Sequence, residues 1–305
     1  MSKIKVWFHN FKMYRELHSS RKAAVNRYTR TKFGNFMLFA FLTLAGLYST
    51  LPLIYCICTS FKPLDELLIF PPRFFVQRPT LANYTVLPDL MSSLKVPFSR
   101  YFFNSLFTSV FSTFVYIIVS TMAAFVLSKG KFKGLGIVFW MVQFALMFNG
   151  TTLGIPQFLI FSKLKLIDTY WIYILPQMAS TLGVFLAKQY IEGYIPDALL
   201  EAAKIDGANP WKIFWSITMP VIKPAWLTLM LFAFRDLWSA APSGMIFSEQ
   251  LKALPQVISQ ITTGGTARAG SAMAVSVIMM IPPIAVFLIS QSNVVEAMSS
   301  AGIKE

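Results

Sequence analysis

Long runs without a charged side chain constrain this chain more than any other feature. Five stretches contain no Asp, Glu, Lys or Arg: residues 33–61, 101–128, 134–162, 169–187 and 269–295. A sixth, 224–244, is interrupted only by Arg235 and Asp236. A helix needs about 20 apolar residues to cross the hydrocarbon core of a bilayer. The sequence therefore predicts an all-α polytopic membrane protein with six transmembrane helices.

The composition supports a membrane protein and argues against a soluble domain. Hydrophobic residues make up 55% of the chain and charged residues only 13%, whereas about a quarter of the residues in a soluble domain are charged. The net charge of +14 would suit nucleic acid. The basic residues crowd beside the predicted spans, however, which favours an orientation signal and no nucleic-acid partner.

The run 134–162 is longer than one span requires, and it contains turn-forming residues. Asn149-Gly150 and Gly154-Ile155-Pro156 interrupt it. We expect its helix to end near Met147, with the residues from Ile155 lying along the outer interface.

The basic residues also predict the topology. Residues 1–32 are rich in Lys and Arg and contain one acidic residue, Glu16, which indicates a cytoplasmic N-terminal arm. Six spans within the domain 33–295 then return the tail, 296–305, to the cytoplasm. The arm either lies on anionic membrane lipid or is a solvated tail.

A polar island between two apolar runs, IPDALLEAAKIDGANPWKIFWSITMP at 195–220, lies in the longest inner loop, 188–223. Pro196 suits a first helical position, and good helix formers continue to about Asp206. Gly207 can adopt the left-handed conformation that ends a helix, and Asn209-Pro210 can start a second helix that stops before Pro220. Taken as local structure alone, this bent helix pair is equally compatible with an amphipathic loop on the membrane.

The spacing in this island resembles a known motif. Glu201-Ala202-Ala203, Asp206-Gly207-Ala208, Ile217 and Pro220 are similar to the EAA loop of ABC-importer permeases. Most of the chain, from about Ser49 to the C-terminus, resembles their carbohydrate branch, the maltose-type permeases, although only the EAA segment is highly specific. Further similar stretches are residues 81–84, 100–106, 167–169, 188–191 and 272–278. The resemblance implies a type I ABC importer permease fold in a bacterial plasma membrane.

The resemblance also implies partners. They are a homologous second permease, two ATPase subunits, an extracytoplasmic solute-binding protein and an oligosaccharide substrate. ATP and Mg²⁺ would bind to the ATPases, with no cofactor on this chain. The helix 197–206 would dock in a groove of an ATPase and act as a lever. The residues implied are Glu201, which would pair with a basic group or cap a backbone, Ala202 and Ala203, which would allow close approach, Asp206, and Gly207, which would supply the bend.

Two departures from the branch bear on the substrate. The stretch 234–239 reads Phe-Arg-Asp-Leu-Trp-Ser, and the tail QSNVVEAMSSAGIKE resembles that of a sub-branch for more complex oligosaccharides. Arg235, Asp236, Trp238 and Ser239 are therefore candidate substrate-pathway residues. Arg235 and Asp236 either pair with other spans or face the translocation path, where an arginine would suit an acidic sugar.

The outer loop, 245–268, carries a Gly-rich tip at Gly264-Gly265-Thr266. In maltose-type permeases the corresponding loop reaches into the solute-binding protein, so the resemblance implies the same contact here. The alternative is a plain flexible connection.

The sequence lacks the motifs of several other functional classes. The sequence contains no phosphate-binding G-x-x-x-x-G-K-[ST] loop, no nucleophile and base arrangement, and no metal-ligand spacing around His9 or His18. We therefore predict a transport subunit without enzyme activity or a metal. The alternatives are a stand-alone secondary transporter, which usually shows internal repeats, an importer permease for a non-sugar solute, and a membrane scaffold.

Overall fold

The chain folds into α-helices, as its charge-free runs predict. The computed structural model describes residues 32–92, 96–148, 150–242, 244–263, 265 and 268–301, and no β-strand occurs among them. Most of the predicted basic arm (1–31), the end of the tail (302–305), Gly264 and Thr266 lie outside the described residues.

The helices follow one another with short connections. In chain order they are α1 Lys32–Ser60, α2 Leu64–Leu67, α3 Ala82–Thr85, α4 Leu87–Ser92, α5 Phe98–Lys129, α6 Leu135–Ala145, α7 Gly150–Lys163, α8 Trp171–Met178, α9 Thr181–Tyr194, α10 Asp197–Ile205, α11 Pro210–Ile213, α12 Met219–Val221, α13 Lys223–Trp238, α14 Leu254–Thr262 and α15 Ala269–Ala301. A π-helical turn, Phe214–Thr218, joins α11 to α12, and a 3₁₀ turn, Glu249–Leu251, precedes α14.

The chain divides into two units, residues 1–55 and 56–305. In the first unit, the described part of α1 exposes nearly all its apolar side chains. This exposure suits a helix that faces lipid. The second unit contains the remaining helices and all the candidate sites.

Three helices among the described residues are long and apolar enough to cross a membrane, by length and composition. They are Phe33–Ser60, Phe98–Lys129 and Ala269–Gln291. A fourth is reached if Pro210–Val221 and Lys223–Trp238, bent by 79°, count as one span. These helices match the predicted runs 33–61, 101–128, 224–244 and 269–295. Helix α13 ends at Trp238, four residues before Pro242, and is therefore shorter than its run.

The other two predicted spans are each divided into two helices. The run 134–162 forms α6 and α7, so its first helix ends at Ala145, close to the expected Met147, and the residues after it are helical again. The run 169–187 forms α8 and α9, with Ser180 in an extended conformation between them. A run without charges is a signal for an apolar environment, and it does not require one continuous helix.

Helix α5 is the central element of the second unit. It packs against α8, α9, α13 and α14, and the face it buries is rich in small polar residues. These include Ser105, Ser109, Ser112 and Ser120. Small side chains let neighbouring helices approach closely in a membrane protein, which explains how several helices can pack around α5.

Two buried hydrophobic clusters include residues of α5, one near the end of this helix and the other near its start. One joins Ala124 of α5 to Ile191 of α9, Leu200 of α10 and Ala225 of α13. The other joins Tyr101 of α5 to residues of α13, α14 and α15, namely Trp238, Val257 and Val275. The first cluster positions the 195–220 island, and the second positions α14 within the predicted outer loop.

Candidate functional site

The 195–220 island is a bent pair of helices, as its turn residues predict. Helix α10 ends in a Schellman motif: the N–H of Gly207 donates to Lys204 O at 3.0 Å and the N–H of Ala208 donates to Ala203 O at 2.9 Å. Gly207 has a φ of 78°, a conformation that L-residues with a side chain rarely adopt. The sequence therefore identified the residue that makes the bend.

The second helix begins where expected and ends later. The Asn209 side chain accepts a hydrogen bond from the N–H of Lys212 at 2.7 Å, and Pro210 is the first helical residue. The helix was predicted to stop before Pro220 and instead continues to Val221. A π-helical turn, Phe214–Thr218, precedes Pro220, which is the second residue of α12.

Helix α10 presents one face to the protein and one to its surroundings. Leu200 and Ala203 are buried against the core, so Ala203 does not lie on the outward face. Glu201, Ala202 and Asp206 are exposed, as is Gly207. Four of the five residues that the resemblance implied for coupling to an ATPase are therefore accessible.

An exposed apolar residue joins this surface. Ile205 is 87% exposed and lies between Glu201 and Asp206 on the outward part of α10. Leu199, six residues earlier in α10, is 42% exposed. The motif resemblance did not include Ile205, although the helical period of α10 places it away from Leu200 and Ala203. Leu199 is four residues before Ala203 and therefore lies at the edge of the buried face. The surface therefore combines carboxylates with an apolar contact.

A lysine from α5 holds the beginning of α10. Lys129 Nζ donates to Ile195 O and to Asp197 Oδ1, each at 2.7 Å. The hydrogen bond and the charge of Lys129 lower the pKa of the Asp197 carboxyl below its ordinary value. The pairing joins residues 68 positions apart, so no local sequence pattern predicted it.

A cavity lined by both polar and apolar residues lies beside α13. It has a volume of about 370 Å³ and is bordered by α7, α8 and α13. Its polar lining residues are Gln157, Tyr173, Gln177 and Asp236. These side chains provide hydrogen-bond donors and acceptors in a concave, partly apolar site, which is typical of a small-molecule site.

The four predicted pathway residues do not form one group. Arg235 and Asp236 are both exposed, but only Asp236 lines the cavity. Trp238 is buried, donates from Nε1 to Met279 O at 2.8 Å and stacks on Phe234. Ser239 Oγ donates to Arg235 O at 2.9 Å. Trp238 and Ser239 therefore stabilise the end of α13 instead of lining the cavity.

The loop 245–268, predicted to face outward, contains the 3₁₀ turn Glu249–Leu251 and α14, and hydrogen bonds to Asp168 hold its beginning. Asp168 has a φ of 62°, and its Oδ1 accepts hydrogen bonds from the N–H groups of Phe247 at 2.9 Å and Ser248 at 2.8 Å. Its carboxylate also accepts from the Ser248 hydroxyl. These hydrogen bonds, the Ser248 hydroxyl first, lower the pKa of Asp168.

The start of α5 fixes the same loop from its other side. Asn104 Nδ2 donates to Gln250 O at 2.8 Å and to Lys252 O at 2.9 Å. The hydroxyl of Tyr101 donates to Glu249 at 2.8 Å. Burial raises the pKa of Glu249, but hydrogen bonds from Lys252, Tyr101 and Gln260 outweigh it, so its pKa is lowered overall.

The predicted loop tip is described only at Gly265. It has a φ of 77°, and its N–H donates to Thr262 O at 3.1 Å, so it forms the turn after α14. The glycine is required there because of its left-handed conformation.

The chain is similar in sequence to known transport proteins. Residues 96–300 match the profile of a family described as "binding-protein-dependent transport system inner membrane component". The chain is 28% identical to the inner membrane ABC transporter permease protein YcjP of Escherichia coli, covering 92% of this chain and 99% of that protein. It is 29% identical to the arabinooligosaccharides transport system permease protein AraQ of Bacillus subtilis, covering 87% and 93%.

A solved structure shares the fold. A chain in the crystal structure of a bacterial ABC transporter that imports the acidic polysaccharide alginate superposes with a TM-score of 0.71 at 21% identity, covering 87% of this chain and 98% of that one. The all-α architecture described above is thus similar to that of an ABC importer subunit.

Proposed function

We propose a function on the basis of the family to which the chain belongs, the binding-protein-dependent transport system inner membrane components. It is accordingly a permease component of a transport system and not an enzyme. On this premise the protein is the transmembrane subunit of an ATP-binding-cassette importer, and it moves an oligosaccharide received from a solute-binding protein into the cell.

The exposed face of α10 is the observation that carries the proposed coupling to a separate ATPase. A helix of nine residues is too short to be stable alone, and here it is anchored through Leu200 and Ala203 while Glu201 and Ile205 remain accessible. An apolar side chain beside carboxylates suits docking in a groove with a basic rim. ATP and Mg²⁺ would bind to two such ATPase subunits, with no cofactor on this chain.

In this mechanism the ATPase moves α10 as a lever. Glu201 pairs with a basic group or caps a backbone on the ATPase, Ala202 allows close approach, and Asp206 and Gly207 form the end of the lever. Gly207 keeps the angle between α10 and α11 fixed, so that displacement of α10 reaches α13 through α11 and α12. The buried cluster that contains Leu200 and Ala225 supports this connection.

The ordered outer loop supports contact with the solute-binding protein. The residues near Asn104 and Asp168 hold the backbone of 247–252 in place, so the loop presents a defined surface. The segment Gly264-Gly265-Thr266 follows α14 directly and would reach the binding protein from that support. A homologous second permease would complete the translocation path.

The cavity beside α13 supports an oligosaccharide substrate. Sugar hydroxyls both donate and accept hydrogen bonds, and Gln157, Gln177 and Asp236 offer matching groups within one cavity. The related AraQ is named for arabinooligosaccharides. An acidic sugar is the second candidate, which rests on Arg235, one residue from the cavity lining.

The proposed topology places both termini in the cytoplasm of a bacterium. The Lys- and Arg-rich arm before α1 supports it. With this orientation α10 faces the ATPases, and the arm lies near the anionic inner leaflet, in contact with lipid or solvated.

The test is a pull-down from solubilised native membrane, with mass spectrometry of what co-purifies. The intact protein is compared with a Glu201→Lys, Gly207→Val double variant. Gly154→Val is the matched control, because a side chain there meets open space and the backbone has an ordinary φ. We expect the intact protein and the control to recover an ATPase and a second permease, and the double variant to lose the ATPase.

Recovery of the chain alone from every sample would contradict the proposal. That result would favour a stand-alone secondary transporter instead.

A further inference from the structure

We propose that Lys129 is a positioning residue that ties α5 to α10 and makes α5 a second route for motion between the ATPase and the outer loop. This inference rests on the proposed function, since it requires an ATPase that moves α10. It adds a connection that the 195–220 island does not contain.

The geometry of Lys129 is that of a tether. Its ammonium group donates both to Ile195 O, at the junction between α9 and α10, and to the carboxylate of Asp197, the first residue of α10. The side chain of Lys129 is 11% exposed and that of Asp197 is 79% exposed. One cation on α5 therefore holds both the chain entering α10 and its first turn.

The surroundings distinguish this contact from an ordinary surface ion pair. A solvent-exposed pair contributes little, because both side chains are flexible and hydrated. The stem of Lys129 is packed inside the protein, and one of its acceptors is the backbone carbonyl of Ile195, whose own side chain is buried. Loss of the ammonium group would leave that carbonyl without its charged donor.

Helix α5 connects this tether to the other candidate site. It runs without interruption from Phe98 to Lys129, roughly 48 Å at 1.5 Å per residue. Near its opposite end Asn104 bonds the backbone at Gln250 and Lys252. A displacement of α10 is therefore transferred along α5 to the outer loop, and docking of a binding protein on that loop is transferred back to α10.

The neighbouring Lys131 provides a matched control. It is exposed and affects the Asp197 carboxyl only through its charge, whereas Lys129 acts first through a hydrogen bond. Substitution of either lysine by methionine removes one positive charge from the same connection. Only Lys129→Met removes the tether.

The experiment follows the outer end of α5 while ATP acts at the other end. The importer is purified with its ATPase in lipid nanodiscs, with Cys56 and Cys58 replaced by serine and with Ser99→Cys, an exposed position at the start of α5, as a reporter. The labelling rate of this cysteine by a membrane-impermeant maleimide is measured with and without ATP, together with ATP hydrolysis.

We expect ATP to change the labelling rate in the reporter protein and in Lys131→Met. In Lys129→Met that change should fall roughly tenfold, a scale set by losing a charge-assisted hydrogen bond, while the ATPase still co-purifies and hydrolyses ATP. Lys129→Arg, which keeps a cationic donor, should restore most of it. Asp197→Asn, which alters the tether from its exposed side, is the second variant if Lys129→Met does not accumulate.

Three outcomes would overturn the inference. They are a full ATP-dependent change in Lys129→Met, equal losses in Lys129→Met and Lys131→Met, and loss of the ATPase from Lys129→Met, which would make the residue part of docking. A reporter protein that binds its ATPase but shows no ATP response would reject transmission along α5. Failure of the intact protein to recover any ATPase would instead reject the proposed function.

Discussion

Close contact at a single glycine determines how α9 begins beside α5. A Cβ atom on Gly183 would lie 2.6 Å from the Cε2 and Cζ atoms of Tyr116. Tyr116 is buried, and its hydroxyl is hydrogen-bonded to the side chain of Ser180, the residue that precedes α9. The ring therefore occupies the space over the first turn of α9, and only glycine leaves that space free.

Gly183→Ala should destabilise the protein. The ring of Tyr116 is held in the core and cannot withdraw, so the added methyl group should cost about 1–3 kcal/mol, as is usual for overpacking. The measurement is the Tm of the solubilised protein. Gly136→Ala in α6 is the control, because a Cβ there meets nothing within 4 Å. A Tm of Gly183→Ala equal to that of the control would contradict this packing.

Individual residues were predictable where their role is local. Gly207, Asn209 and Pro210 have the helix-ending and helix-starting roles that their neighbours in the sequence indicate, because caps and turns depend on a few adjacent residues. Lys129 and Gly183 were not predictable. Their roles depend on partners brought close only by tertiary packing.

Breaks within apolar stretches are the main feature at the scale of helices. The run 169–187 is divided near Ser180, and Pro210–Val221 meets Lys223–Trp238 at 79°. Hydrophobicity alone does not predict the break near Ser180, because apolar residues on both sides continue the pattern. The break before Lys223 lies close to its predicted place, between the end of the island helix near Pro220 and the start of the run 224–244. The predicted bend at Gly207 was found because a polar sequence with recognisable caps surrounds it.

Gly207→Val should uncouple transport and leave the protein in the membrane. A side chain at Gly207 would meet no atom within 4 Å, so the effect arises from the backbone: a left-handed conformation costs an L-residue roughly 1–2 kcal/mol. The end of α10 should rearrange, and uptake of labelled oligosaccharide should fall severalfold at unchanged abundance in the membrane.

Gly207→Asn is the control for that prediction, since asparagine tolerates the left-handed region and can end a helix in the same way. It should retain most of the uptake. Normal uptake by Gly207→Val would show that the bend does not transmit motion.

At the scale of the whole molecule, the two adjacent charges of α13 have different surroundings. Arg235 is exposed on α13, although a charge within a span costs at least about 2.5–3.5 kcal/mol on insertion scales. Asp236 on the same turn faces the cavity. The sequence predicted the all-α class and the bent island, and its orientation stays a prediction, but it did not separate these adjacent charges. Their surroundings depend on the packing of α7, α8 and α13.

This separation leads to a prediction about the substrate. Because Asp236 and not Arg235 lines the cavity, Arg235→Gln should reduce uptake of a neutral arabino-oligosaccharide and of an acidic oligogalacturonate to the same extent, through lost pairing with the second permease. Asp236→Asn should reduce neutral uptake about tenfold, because it removes a charged acceptor for sugar hydroxyls, and should spare acidic uptake, because it removes a like charge. Uptake of both labelled probes by membrane vesicles checks this. Selective loss of acidic uptake in Arg235→Gln would place the arginine on the path of an acidic sugar.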